Sequence, residues 1–277
     1  MIRLSPIDFD GLRVALKSAP FNYLFARSVV NNLADGSVWC DREREPTFAH
    51  IIHSYGMTLL LALSDDVDLD ALKQHIDWCR RAVGGLWMQV HPTSLAPAID
   101  RLLDADMSLI EAVPNGVSVQ RFTRSNFRFD PDRYASRAPL ESLSCDIEVR
   151  PMTSGDVALP GLSVSPQKFW RNAAESLGHG GGWCVARGDE VISIAFSAYR
   201  LDSQLEIGVE TYPKYRGHGF AKHAASALIE QCVKSGIEPV WSCRRQNQAS
   251  YHLAKALGFL PTVEGPYYHL PKVSAQT

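Results

Sequence analysis

The chain has no long apolar run. The longest, Met57–Leu63, is far short of the roughly 20 residues a membrane span needs, and the opening MIRLSPIDFDGL lacks the apolar core of a signal peptide. The expectation is a soluble, cytoplasmic protein with no membrane partner. Neither sign of charge is in excess, with 28 Lys and Arg against 30 Asp and Glu, so no field able to hold nucleic acid is expected and any basic site is local. Paired cysteine spacing is absent as well. Cys40, Cys79, Cys145, Cys184, Cys232 and Cys243 each have apolar neighbours, which points to reduced packing residues rather than a disulfide frame or zinc site. The histidines are scattered. His50 and His53 would share a face only on a helix, whereas TFAHIIHS has the β-branched and aromatic content of a strand, so no metal is expected.

At 277 residues the chain can form one large domain or two ordinary ones. From Cys145 onward the pattern predicts β-α-β-β-β-α-β-α-β-β. It includes a helix in SPQKFWRNAAESLG, a strand in QLEIGVET, an alanine-faced helix ending at Gly236, a helix over Asn247–Leu257, and FLPTVEGPYYHLPK as a closing hairpin. The first half predicts helices at Pro6–Ser18, Asn22–Leu33, Asp70–Val83 and Ser94–Leu103. Its strands are expected at Ser37–Cys40, Phe48–His53, Met57–Ser64, Trp87–His91 and Gly116–Thr123. The polar stretch Ser125–Ser144 reads as a linker, giving an N-terminal α/β region over 1–124, a linker over 125–144 and a second domain over 145–277. No internal repeat is legible.

The chemistry concentrates in ETYPKYRGHGFAKHAA, residues 210–225, where a strand runs through a glycine knot into a helix. A Walker loop needs G-x-x-x-x-G-K-[ST], which is absent. A Rossmann fingerprint needs Gly or Ala where Lys222 stands and an acidic residue after the next strand, whereas Glu238 precedes PVWSC. The pattern [Q/R]-x-x-G-x-[G/A] is met by Arg216, Gly219 and Ala221. Its physical sense is that glycines turn the backbone tightly and leave several N–H groups at a helix start facing one anionic group. A plain strand-to-helix turn would use glycine too, so the string alone leaves both readings open.

With LEIGVETYPKYRGHGFAKHAASALI and NQASYHLAKALGF in order, the sequence resembles the GNAT N-acetyltransferase superfamily. GSVWCDREREPTFAHI and GGGWCVARGDEVISIAFSAYR extend the likeness to the subgroup that includes zwittermicin-resistance-type acetyltransferases. The resemblance implies a mixed α/β sheet, with the acyl-CoA N-acyltransferase fold in the C-terminal half and an N-terminal α/β region that contacts substrate. It implies acetyl-CoA as co-substrate and a small-molecule amine as acceptor, attacked directly in a ternary complex. By the same resemblance, the backbone N–H groups of Gly217, His218, Gly219, Phe220 and Ala221 hold the pyrophosphate, with Arg216 and Lys222 adding charge. Val209 and Thr211 bind the pantetheine arm, and Asn247 caps the following helix near the cofactor.

A lysine-like amine costs about 4.6 kcal/mol to deprotonate at pH 7 and an α-amine about 1 kcal/mol, so a base matters most for the former. Glu210 and Glu206 are the candidate bases. Where many superfamily members place a tyrosine general acid, four residues before Gly258, this chain has Ala254. That departure motivates the alternative of a catalytically silent acyl-CoA-binding module.

Overall fold

The computed structural model describes residues 1–17, 19–20, 22–83, 85–108 and 118–273. In chain order the elements are β1 (Ile2–Arg3), α1 (Asp10–Lys17), α2 (Leu24–Val30), β2 (Gly36–Cys40), β3 (Phe48–His53), β4 (Met57–Ala62), α3 (Leu69–Ala82), β5 (Leu86–His91), α4 (Ala96–Leu103) and β6 (Gln120–Phe129). There follow α5 (Pro131–Ala135), β7 (Glu148–Pro151), α6 (Ala173–Gly178), β8 (Gly182–Arg187), β9 (Glu190–Leu201), β10 (Gln204–Thr211), α7 (Phe220–Lys234), β11 (Glu238–Arg244), α8 (Gln248–Ala256) and β12 (Phe259–Leu270). The mixed α/β architecture expected from the sequence is present. Among the described residues, no helix is long and apolar enough to cross a membrane.

The chain divides into two compact units. The described residues of unit 1 fall within 1–125, 243–248 and 263–277, and those of unit 2 within 126–242 and 249–262. In unit 1, β1, β2, β3 and β4 pair antiparallel in sequence order, β5 lies parallel to β4, and Tyr267–Leu270 of β12 run antiparallel to β5. Its core forms where the i, i+4, i+7 stripe Leu72, Ile76 and Cys79 of α3 meets Phe48, Leu60, Met88 and Val90 of the sheet.

In unit 2, β7, β8, β9 and β10 pair antiparallel in order, and β11 lies parallel to β10. The two units thus share an order: an opening strand, helices, a meander of three strands, a helix, a parallel strand and a helix. The sequence shows no such repeat because the two copies keep topology and not residues.

The buried face of α7 is Ala224, Ala225, Leu228, Ile229 and Cys232, the small-residue face expected, although Val233 is 50% exposed and lies off it. The helix stops as its sequence predicts. Gly236, at φ 65°, follows the cap residue Ser235, and Ile237 N–H donates to Cys232 O at 2.9 Å while Gly236 N–H reaches Val233 O at 3.2 Å.

Four expectations differ. Ser165–Gly178 is not one helix: a 3-10 turn at Pro166–Lys168 ends where Phe169 and Trp170 are buried, Trp170 Nε1 donating to Ser197 O at 2.6 Å. α6 then starts afresh, capped by the Asn172 side chain, which accepts from Glu175 N–H. The closing segment is not a hairpin. Its Gly265-Pro266 lies inside the single strand β12, whose Tyr267–Leu270 find partners in β5, far away in sequence. The strand expected over Gly116–Thr123 begins outside the described residues and continues to Phe129, inside the stretch expected to be a linker. There α5 is also formed, with Asp130 as its cap and Tyr134 Oη donating to Ser226 O of α7 at 3.2 Å. The α1 segment opens with a 3-10 turn at Pro6–Asp8, and Ser18 lies outside the described residues.

β3 is a strand, and His50 and His53 part as expected. His50 is met by a residue the sequence did not suggest: its Nδ1 lies 2.9 Å from Nε2 of His75 on α3, with Cys79 Sγ 3.5 Å from His75 Nε2. These three atoms form the one described group of donors close enough to share a metal ion. The ring centroids are 5.1 Å apart with the nitrogens between them at 2.9 Å, so each nitrogen faces the other ring rather than a common third point. That is a hydrogen-bonded pair, one donor and one acceptor. Burial holds His50 well below the ordinary histidine value and takes His75 and His53 down to about 4.

These depressed bases have a definite consequence. Below the unfolded value near 6.5, the unfolded chain takes up protons that the folded chain refuses, so stability falls as pH falls from about 6.5 toward 4. Melting temperatures measured from pH 7 to pH 5, before most carboxylates titrate, are expected to drop. A flat profile would contradict the neutral buried assignment.

Candidate functional site

β10 carries the site's framework. It pairs with β9 along its whole length, with a register shift between Glu206 and Ile207, but with β11 only from Gln204↔Glu238 to Glu206↔Val240. From Ile207 to Thr211, among the described residues, β10 has a strand on one side only. Tyr212 N–H donates to Ile192 O of β9 and Ser193 Oγ donates to Glu210 O, so residues 210 and 212 face β9. By strand alternation, the N–H groups of Val209 and Thr211 face the edge that β11 has left. Gly208 leaves room for the ring of its β9 partner: a Cβ there would stand 2.5 Å from Phe196 Cζ.

The counterpart in unit 1 is closed. β4 and β5 stay paired from Met57↔Trp87 to Leu61↔His91, and β3 and β4 pair without a register shift. The following junction, Ser64-Asp65-Asp66-Val67-Asp68, is acidic and holds no glycine.

Beyond β10, a 3-10 turn at Pro213–Tyr215 leads to Arg216 in extended conformation, then to Gly217 and Gly219 at φ 83° and 78°. Nothing lies within 4 Å of where a Cβ would stand at either glycine, so the turn needs them for backbone conformation and leaves open space above. Gly219 caps α7, and Lys222 N–H donates back to Gly219 O at 2.9 Å. Among the described residues, no acceptor faces the backbone N–H groups of Gly217, His218, Gly219, Phe220 and Ala221. Five such donors at the positive end of a 15-residue helix suit an anionic oxygen group. His218 is exposed and folds back over its own turn, Nδ1 at 2.9 Å from Arg216 O and its ring stacked on Phe220. Lys222 is half-buried.

Both candidate bases lie on β10. Glu206 is buried at 6% exposure, its Oε1 accepting from Ser242 Oγ at 2.6 Å. The adjacent register shift falls in β9, where Ala198 is the extra residue between the partners of Glu206 and Ile207. Glu210 stands at the end of the strand, Oε2 accepting from Ser163 Oγ and Oε1 from Arg216 Nη2 at 3.0 Å. Arg216 also donates from Nε to Thr211 O at 3.1 Å, while Thr211 Oγ1 meets Ser193 Oγ at 2.7 Å.

Val209, Thr211, Arg216, Lys222 and the five turn residues are thus brought together with Glu206 and Glu210 on one strand–turn–helix segment. Asn247 is not within that unit. It falls in unit 1, where its N–H donates to Arg244 O just before α8. Ser163, Ser193 and Ser242 were missed by sequence reasoning, because serine at loop and strand positions carries no pattern. Ala254 is fully buried, and Tyr251 packs its ring on Phe127.

Residues 106–268, more than half of the chain, match a family model described as GNAT acetyltransferase. An uncharacterized N-acetyltransferase of Bacillus subtilis is 31% identical over 103 residues, covering 37% of this chain and 40% of that protein. A [Ribosomal protein bS18]-alanine N-acetyltransferase of Haemophilus ducreyi is 29% identical over 90 residues, covering 32% and 62%. The chain therefore spans less than two thirds of either curated relative. In fold it is similar to a GCN5-related N-acetyltransferase-like protein from Streptococcus suis, with TM-score 0.67 at 19% identity, covering 93% of this chain and 97% of that one. It is also similar in fold to a tandem GNAT protein from the clavulanic acid biosynthesis pathway, with TM-score 0.64 at 11% identity, covering 99% of each.

The Ser242 hydroxyl is the test of how Glu206 is held. Ser242→Ala removes a short bond to a buried carboxylate and is expected to cost about 1–3 kcal/mol by chemical denaturation. An unchanged midpoint would show that Glu206 is held elsewhere.

Proposed function

The chain belongs to the GNAT acetyltransferase family, and from that premise we propose that it transfers an acetyl group from acetyl-CoA to a primary amine of a small molecule, by direct attack in a ternary complex. One observation carries the reading: among the described residues, a strand edge that no second strand pairs, Ile207–Thr211, leads through a 3-10 turn into five N–H groups that no acceptor faces. A pantetheine arm carries amide groups that bind as a missing strand would, and a pyrophosphate matches the turn. Val209 and Thr211 take the arm, Gly217 to Ala221 the pyrophosphate, and Lys222 adds charge. Asn247 is kept as the cap of α8, as the family resemblance implies.

The acceptor amine has to be neutral when it attacks. Glu210, at the end of the open edge, takes its proton, with Glu206 as the alternative through water. The leaving thiolate is cheap to release, about 2 kcal/mol at pH 7 if its thiol resembles cysteine, so a fully buried Ala254 in place of a tyrosine does not forbid turnover. It does favour a second reading, a silent module that binds acyl-CoA without transfer. The N-terminal region is assigned to acceptor recognition, in keeping with the subgroup resemblance.

With the β4–β5 edge of unit 1 closed and its junction acidic, one donor site per chain is expected. Calorimetric titration with acetyl-CoA is expected to give one site, and Gly219→Asp, which sets a carboxylate in the cradle, to weaken binding at least about tenfold. Two sites, or an unchanged affinity in Gly219→Asp, would overturn the assignment. Turnover with labelled acetyl-CoA against small amines and peptides with N-terminal alanine separates the readings: acetylated product supports the enzyme, and tight binding without product supports the silent module.

A further inference from the structure

Arg216 begins the glycine motif, yet its side chain is engaged with the strand behind it. Nε donates to Thr211 O and Nη2 to Glu210 Oε1. Thr211 O lies on the edge of β10 away from β9, by the same alternation that turns the Thr211 N–H that way. The guanidinium therefore lies across the end of the open edge and against the candidate base together. The other oxygen of Glu210 accepts from Ser163 Oγ, whose own carbonyl accepts from Lys168 Nζ at 2.6 Å. Tyr212 Oη donates to Pro160 O at 2.8 Å, which ties the same loop to the end of the strand. Both carboxylate oxygens of Glu210 are thus engaged.

The pair is cheap to break. Arg216 is 59% exposed and Glu210 12%, and partly solvated ion pairs contribute little. A diphosphate at Gly217–Ala221, adjoining Arg216 in the chain, would offer it a doubly anionic partner and the forked geometry that arginine favours.

We infer that Arg216 is a latch shared between Glu210 and the diphosphate of the donor: in the free protein it holds Glu210 and caps the end of the strand edge at Thr211 O, and donor binding draws it away, so that Arg216 lets go of Glu210 only when the donor is in place. Arg216 is then a positioning residue. The inference rests on the diphosphate site proposed above.

The test is a double-mutant cycle on the dissociation constant of CoA, read by calorimetry and independent of turnover. Glu210→Gln removes the charge that Arg216 must leave, and is expected to tighten CoA about two- to fivefold. Arg216→Gln is expected to weaken it, and Glu210→Gln added to that variant to give no further tightening. The Arg216→Lys background, which keeps a charge without the fork, is expected to show less tightening than wild type. An equal effect of Glu210→Gln in all backgrounds would show that Glu210 acts only through its field, and no effect in wild type would remove the pairing; either result overturns the latch. Failure of the wild-type protein to bind CoA would instead overturn the donor-site reading on which the latch depends, so the two failures are distinguishable.

Discussion

Everything at the candidate site follows from the parting of β10 from β11 after Glu206. Parallel pairing satisfies one side of β10 for three residues and then stops, leaving the next five, among the described residues, with β9 as their one strand partner. In a packed sheet such an edge has to be met by something, because unpaired backbone groups out of water are costly. The register shift at Glu206/Ile207, the close approach of Gly208 to Phe196 and the positive-φ glycines of the turn all serve one geometry. They offer a strand edge and a helix start in sequence, so that one extended ligand with amides at one end and a diphosphate at the other can use both.

Unit 1 is the internal control. It has the same order of strands and helices, and its parallel pair β4–β5 remains paired to Leu61↔His91. Where unit 2 has glycines and basic residues after the strand, unit 1 has three aspartates. Topology alone therefore does not make the site. The local break in pairing and the chemistry of the junction distinguish the two units.

The sequence revealed the parts whose chemistry is local. The glycine motif, the α7 stripe, its Gly236 stop and most strands of the first half were legible because turn, cap and periodicity signals act over a few residues. The misread parts depend on distant partners. β12 looked like a hairpin because Gly265-Pro266 is a turn signal, and pairing with β5 overrode it. Trp170 reached Ser197 and broke an expected helix, and His50 met His75 across 25 residues. Glu210 was legible as a candidate, but its partners Ser163 and Arg216 were not, since neither contact follows from spacing.

The account's central claim is that one donor occupies the open edge of β10 and the following turn. Amide hydrogen exchange with and without CoA tests it most directly, because the claim concerns named N–H groups. The account predicts that CoA slows exchange at Val209, Thr211 and Gly217 to Ala221, with no change over Leu61 to Leu69 in unit 1. Unchanged exchange at the first set while CoA is bound, or protection of the second, would contradict it.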